Sequence, residues 1–287
     1  MKLRLILLFA ACAALSGPGM RADAPQDDAE TMVDHRLKDI VDQQQVVFAD
    51  AASQGSELDT ASLKPRLEQI THQYESLLRD NPSYAAGYAS YGYMLWKIGS
   101  RKEAVALLLK ANQLDPDIPL VKNELGNYLA EEGRPLEAVN YFLSAIKLEP
   151  KEPLYHYQLG TLLYEARDDF LKSGEWSRAA IDHAMLGAFK TAAELAPDRI
   201  EFVYRYGESF YDMQDPDWHE ALKIWQGLEA HAQSDVERQT MRLHEANVLL
   251  NLGKADEARK TLDQVTDPKL DAQKQKLIAR MAPNAGN

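Results

Sequence analysis

The chain contains one cysteine in 287 residues, Cys12, and it lies in the apolar stretch at the very start. If that stretch is cleaved off, the mature chain has no thiol. No disulfide could then brace it in an oxidising compartment, and its stability would have to come from packing. Metal-ligand patterns are missing too. The seven histidines (His35, His72, His156, His183, His219, His231 and His244) never stand four apart, and no His-Glu-x-x-His occurs. Surface or partly packed histidines are therefore expected. There is no Gly-x-Ser-x-Gly, no P-loop and no Gly-x-Gly-x-x-Gly. The adjacent pairs Asp27-Asp28 and Asp168-Asp169 point in different directions on a helix, so they make no acid–base couple. No catalytic residue, cofactor or metal is expected, and the chain reads as no enzyme. Positive charge is also short: 32 Lys and Arg stand against 44 Asp and Glu, a net charge of −12. Such a surface repels nucleic-acid phosphates and anionic lipid, so neither is an expected partner.

What the chain does have is a period. Gly92 recurs as Gly126, Gly99 as Gly133, Ala104 as Ala138, Ala111 as Ala145, Leu114 as Leu148 and Pro116 as Pro150, always 34 residues apart. Within a unit, Tyr88, Tyr91, Leu95 and Trp96 form one block at helical spacing, and Val105, Leu108, Leu109 and Ala111 form a second. Gly99 and Gly133 between the blocks suit the left-handed position that ends a helix. Gly92 and Ala104 are small because two antiparallel helices must approach closely there. Pro135 fits a first helical turn, and Pro116 and Pro150 end the second helix. Each unit is a helix-turn-helix that cannot bury its own apolar face and must stack on a neighbour.

These residues resemble the tetratricopeptide repeat (TPR) family. The second unit supplies its pattern as Leu125-Gly126, Leu129, Gly133, Ala138, Phe142, Ala145 and Pro150. The resemblance implies an all-α fold, a right-handed α-solenoid of stacked helix-turn-helix repeats.

In order, residues 1–24 read as a secretory signal: Lys2 and Arg4, an apolar run from Leu5 to Leu15 too short to span a bilayer, then Gly17-Pro18-Gly19. Cys12 after Phe9-Ala10-Ala11 loosely resembles a lipoprotein acceptor, but the apolar run continues past it where a tether turns polar. Secretion to a bacterial periplasm or the cell envelope is the expectation, with lipid anchoring the alternative. Removing the signal brings the charge to about −14. Residues 25–60 hold an acidic segment and a helix, with a loop expected from Ala51 to Thr60. Residues 61–84 give the second helix of a degenerate first repeat, and 85–118 and 119–152 are full repeats. Residues 153–197 are a repeat whose closing Ala192, Leu195 and Pro197 arrive 13 residues late. The extra residues fall between its helices, as a projecting arm or a short extra helix, and Met185 stands where Ala104 did. Residues 198–232 and 233–268 are repeat-like, and 269–287 form a capping helix and tail with a polar outer surface.

The resemblance also implies an inner groove lined by the first helices. Its candidate residues are Tyr93, Trp96, Asn123, Glu124, Asn127, Glu131, Tyr157, Gln158, Tyr164, Tyr204, Arg205, Glu208 and Tyr211. Tyrosine gives large, stiff contact area, and Asn can pair with an extended backbone. In the second to fourth units Glu124, Glu131, Glu165, Glu201, Glu208 and Asp212 face one Arg205. A basic or neutral polypeptide is the expected partner, held by a non-enzymatic scaffold. Removing the side chains of Tyr157 and Tyr204 is then expected to abolish capture without unfolding the chain. Three alternatives stand beside this reading. One is a groove filled by the chain's own N-terminal helix; another is a homo-oligomer that assembles through terminal helices. The third is an enzyme subunit using the 164–184 insertion.

Overall fold

The computed structural model describes residues 31–54 and 59–281, and among these it shows α-helices and 3-10 turns but no strand. The signal, Cys12, Asp27-Asp28 and residues 282–287 lie outside the described residues. The helices follow the repeat pattern in pairs. They are α1 (Met32–Gln54) and α2 (Thr60–Asp80), α3 (Ala85–Lys97) and α4 (Arg101–Leu114), then α5 (Pro119–Glu131) and α6 (Pro135–Leu148). The third repeat holds α7 (Pro153–Glu165), α8 (Arg167–Ser173) and α9 (Arg178–Leu195). Next come α10 (Ile200–Ser209) with a 3-10 turn at Phe210–Asp212, and α11 (Trp218–His231). The chain closes with α12 (Asp235–Asn251), α13 (Ala255–Asp263) and α14 (Asp271–Met281).

Local signals set these boundaries. Gly99, Gly133 and Gly253 take φ of +85°, +70° and +74°, and the residue after each donates its N–H back to the carbonyl of Leu95, Leu129 and Leu249. That bond satisfies a helix-end carbonyl three times over by one device. At the starts, Ser234 and Glu237 form a reciprocal capping box on α12, and Asp59 accepts the N–H groups of Ala61 and Ser62 on α2. The loop expected from Ala51 is shorter than read: α1 runs on to Gln54 because Ala51 is a buried core residue.

The chain divides into two compact units, residues 1–128 with 147–149, and residues 129–146 with 150–287. In the first, α1 and α2 pack on α3 through Ile40, Val47, Ile70, Leu77, Met94 and Leu95. The Tyr74 ring stacks on Tyr91 at 5.1 Å, and its hydroxyl donates to Gln44 Oε1 at 2.7 Å. A Cβ on Gly92 would lie 3.0 Å from Leu108.

The same contact recurs in the second unit and fixes its register. A Cβ on Gly160 would lie 2.8 Å from the Phe189 ring, and one on Gly207 2.9 Å from Trp225. Gly92 and Leu108 are 16 residues apart, Gly160 and Phe189 29, Gly207 and Trp225 18. The thirteen and two additional residues therefore lie between the helices, and Met185, fully buried, does occupy the Ala104 position.

Of the two arrangements expected for the larger insertion, the structure has the short extra helix. Gly174 at φ +76° ends α8, and the Ser177 hydroxyl accepts the Ala180 N–H to start α9. Phe170 is buried edge-on against Trp176, with centroids 5.4 Å apart. Asp182, also buried, accepts from Arg178 Nε at 2.8 Å and from the Gln214 N–H at 3.0 Å, and lies 3.6 Å from Arg167. Arg178 donates in turn to the Asp212 carbonyl. The insertion is thus a brace that ties α8 and α9 to the turn after α10, and its buried carboxylate is fully engaged.

Two tests follow. Gly160→Ala should cost about 1–3 kcal/mol, because the enclosed Phe189 ring cannot yield. Gly187→Ala on α9, where a Cβ meets nothing within 4 Å, should instead gain up to about 1 kcal/mol from helix propensity. Asp182→Ala should cost about 3–5 kcal/mol, since it leaves Arg167 and Arg178 without their shared buried carboxylate. Urea melts of the three variants check all three values.

Candidate partner-binding face

In the first unit the structure separates the candidates by depth. Tyr93 and Asn127 are half-buried, whereas Trp96, Asn123 and Glu124 are buried. Arg101 lies over Trp96 at 3.7 Å and Lys97 over Tyr93 at 5.0 Å, both cation–π contacts. Both asparagines turn to one carboxylate. Asn123 donates to Glu124 Oε1 at 3.0 Å and Asn127 to Oε2 at 3.4 Å. Burial pushes the Glu124 carboxyl up; Lys97, the two amides and Arg101 act against it. Asn123 and Glu124 thus form an internal polar pair, and neither is free to meet a partner.

In the second unit Arg205 on α10 gathers a cluster. Its guanidinium lies over the Tyr164 ring at 4.0 Å and 5.0 Å from that of Phe189, and donates one long bond of 3.5 Å to Glu208. Tyr157 on α7 packs on Phe202 at 4.8 Å and edge-on to Phe189 at 5.8 Å. Burial raises its phenol. Tyr157, Tyr164, Arg205 and Glu208 all stay half-buried. Gln158 is half-buried on α7 and outside this set of contacts, and Glu131 is exposed.

Tyr204 and Tyr211 belong to a second cluster, around His244 on α12. The Tyr204 hydroxyl lies 2.8 Å from Nε2, and that of Tyr211 lies 3.2 Å from Nδ1 and 3.4 Å from the His244 carbonyl. One assignment satisfies all three contacts: Tyr211 donates to the carbonyl and accepts from Nδ1–H, while Tyr204 donates to Nε2. The imidazole stacks on Trp225 at 3.9 Å, 10° from parallel, and Tyr204 stands edge-on to both. Tyr157 and Tyr204 therefore hold the fold as well as line its face, so removing both rings has a structural cost that the sequence did not show.

His244 is not among the residues expected from the sequence, because it lies in the fifth repeat and the expected inner-face positions span four. It stands two residues before Ala246, as Arg205 stands two before Gly207. Extending the count by one unit finds it. The acidity also contracts: Glu124 is buried, Glu201 pairs with Arg199, and Glu208 pairs with Arg205. In the second unit this leaves Glu165 exposed and Asp212 half-buried as the carboxylates outside such pairs.

Among the described residues no helix is long and apolar enough to cross a membrane. Tetratricopeptide repeat models match residues 85–118 and 123–183. No curated protein matches the chain. Among solved structures, YrrB, described as a TPR protein with an unusual peptide-binding site, is similar with a TM-score of 0.59 and 17% identity, over 72% of this chain and 97% of that one. PilF of Pseudomonas aeruginosa gives 0.56 and 16%, over 85% and 99%. PilW, described as a widely conserved type IV pilus biogenesis factor, gives 0.52 and 14%, over 84% and 99%. At these identities the likeness is one of fold. Over residues 85–118 and 123–183 the chain is similar to tetratricopeptide repeats, and its fold is an all-α repeat solenoid.

Proposed function

We propose that the chain is a non-enzymatic scaffold of the bacterial envelope that holds a polypeptide segment against the first helices of its repeats. One observation carries this reading. On α7 and α10, Tyr157, Tyr164, Arg205 and Glu208 remain partly exposed, while Tyr155, Leu159, Leu163, Phe202 and Tyr206 of the same helices are buried in the core. Rigid aromatic rings with an arginine fixed across them lose little freedom on binding, which is the composition of binding hot spots. The basic or neutral character of the segment rests on the net charge and on Glu165 and Asp212. The N-terminal signal pattern supports the location, and PilF and PilW lend the analogy of other repeat proteins with the same fold.

The contacts weaken two alternatives. The helix α1 packs on α2 and α3 within its own unit, so it is engaged in the core rather than lying in a groove. The cleft between α1 and α2 is lined by Arg36, Asp39, Gln43, Glu68 and His72 together with the apolar Ile40 and Pro65. At the other terminus, α14 directs Arg280 back onto Asn247 and Asn251.

The test is capture from envelope extract by the chain from residue 25, compared with a Tyr164→Ala, Arg205→Ala double variant. The variant should lose at least about tenfold in affinity for whatever the wild type retains, or about 1.4 kcal/mol. A Leu143→Ala control, at an exposed leucine of α6, should bind as the wild type does. Equal capture by all three proteins would sink the assignment.

A further inference from the structure

Helix α12 carries two neighbouring ionisable groups, His244 and Glu245, that are withdrawn from water in different directions. His244 enters the box of Tyr204, Tyr211 and Trp225. Glu245 is buried and bonds to Glu229 of α11, and its Oε1 has no partner. Two carboxyl groups can share such a bond only if one keeps its proton. Glu229 already accepts from Arg242 Nε at 2.7 Å, so the shared proton sits on the more deeply buried Glu245. Among the described residues, Arg242 is the one base acting on Glu245, and none acts on His244. From α14, Arg280 is taken by Asn247 and Asn251, and Lys274 by the Val265 carbonyl.

We propose that α12 is a proton-dependent latch, docked on α10 and α11 while His244 and Glu245 are both uncharged and loosened when either ionises. Its loosening would unpin Tyr204 and Tyr211 from the face described above; that consequence rests on the proposed function, whereas the latch does not.

The direction of the effect follows from burial. Burial holds the His244 imidazole down at about 4, against its ordinary 6.5. Burial and then Glu229 push the Glu245 carboxyl up to about 8, against an ordinary 4.5. On opening, His244 takes up a proton at any pH between about 4 and 6.5, so its contribution is complete above 6.5 and fades as pH falls. Glu245 sheds a proton on opening between about 4.5 and 8, so its contribution is complete below 4.5 and is lost as pH rises to 8. From 4.5 to 6.5 the two slopes cancel, and the latch is tightest there. Above 6.5 only Glu245 remains, and opening grows about tenfold per pH unit until about 8.

Backbone hydrogen exchange of the full chain, corrected for the intrinsic pH dependence of exchange, reads this directly. In the wild type, α12 should lose roughly thirtyfold in protection between pH 6.5 and 8, while α7 holds its protection. Glu245→Gln keeps a donor toward Glu229 and removes the titration, so its α12 should stay level over that range. Should that variant fail to fold, Glu229→Gln serves instead, because an amide donating to Glu245 lowers its proton affinity and shortens the slope. Level α12 protection in the wild type overturns the latch. So does an equal slope in Glu245→Gln, or a loss that α7 shares in full. None of those results touches the Tyr164 and Arg205 test. If the exchange behaves as expected, capture that falls at pH 8 in the wild type but not in Glu245→Gln supports the coupling to the face, and capture equal at both pH values overturns it.

Discussion

The closest constraint in this structure is the contact between a glycine on the first helix of a repeat and a large side chain on the second. It is Gly92 against Leu108, Gly160 against Phe189 and Gly207 against Trp225, each leaving no room for one more carbon. The contact sets how near the two helices lie, and that distance decides which other residues are covered. Because the glycine falls at the same place in these three repeats, the large residue is free to vary from Leu to Trp while the spacing survives. The third repeat shows how strongly this dominates. Thirteen residues enter its turn, yet Phe189 still arrives over Gly160, and the insertion folds into a helix and an ion network rather than displacing the pair.

Most of the architecture was legible because it depends on period and on backbone conformation, both of which are written in residue type. Glycine at a left-handed helix end and small residues at a close crossing need no knowledge of distant contacts. The polar interior was not legible for the opposite reason. A repeat position says which way a side chain points but not how deep the neighbouring helices leave it. Asn123 and Asn127 stand on the face that the pattern assigns to binding, yet both turn to Glu124, which the sequence offered as a surface acid. The surroundings at that point include Lys97 and Arg101 from other helices, and no spacing rule encodes them. The same holds for the charge of the face, which shrinks once Arg199 and Arg205 take up Glu201 and Glu208.

The tyrosines show why lining and support were hard to separate. A phenol ring is long enough to pack its body on a neighbouring helix and still present its edge. Tyr157 does this on Phe189 and Phe202, and Tyr204 on Trp225 and His244. A face built this way is rigid because its exposed groups are anchored by the core that holds the repeat together. Arg205 extends the principle, since Tyr164 and Phe189 immobilise a guanidinium that retains most of its donors. Rigidity of the face and stability of the repeat are then one property, and neither can be tuned without the other.

That coupling explains why ionisable groups buried near the C-terminal end of the chain matter beyond their own repeat. In a stacked array each helix pair is held mainly by its neighbours, so a local loss is not shared across the whole molecule. Helix α12 packs on α11, α13 and α14, and at His244 it also supplies the floor under two tyrosines of α10 and its 3-10 turn. An apolar residue at 244 would pack equally well on Trp225 but could not bond both hydroxyls. An apolar residue at 245 would remove an acid–acid contact that gives no advantage at neutral pH. The two groups are therefore poorly explained as fillers of a core, and well explained if the docking of α12 is meant to respond to protons.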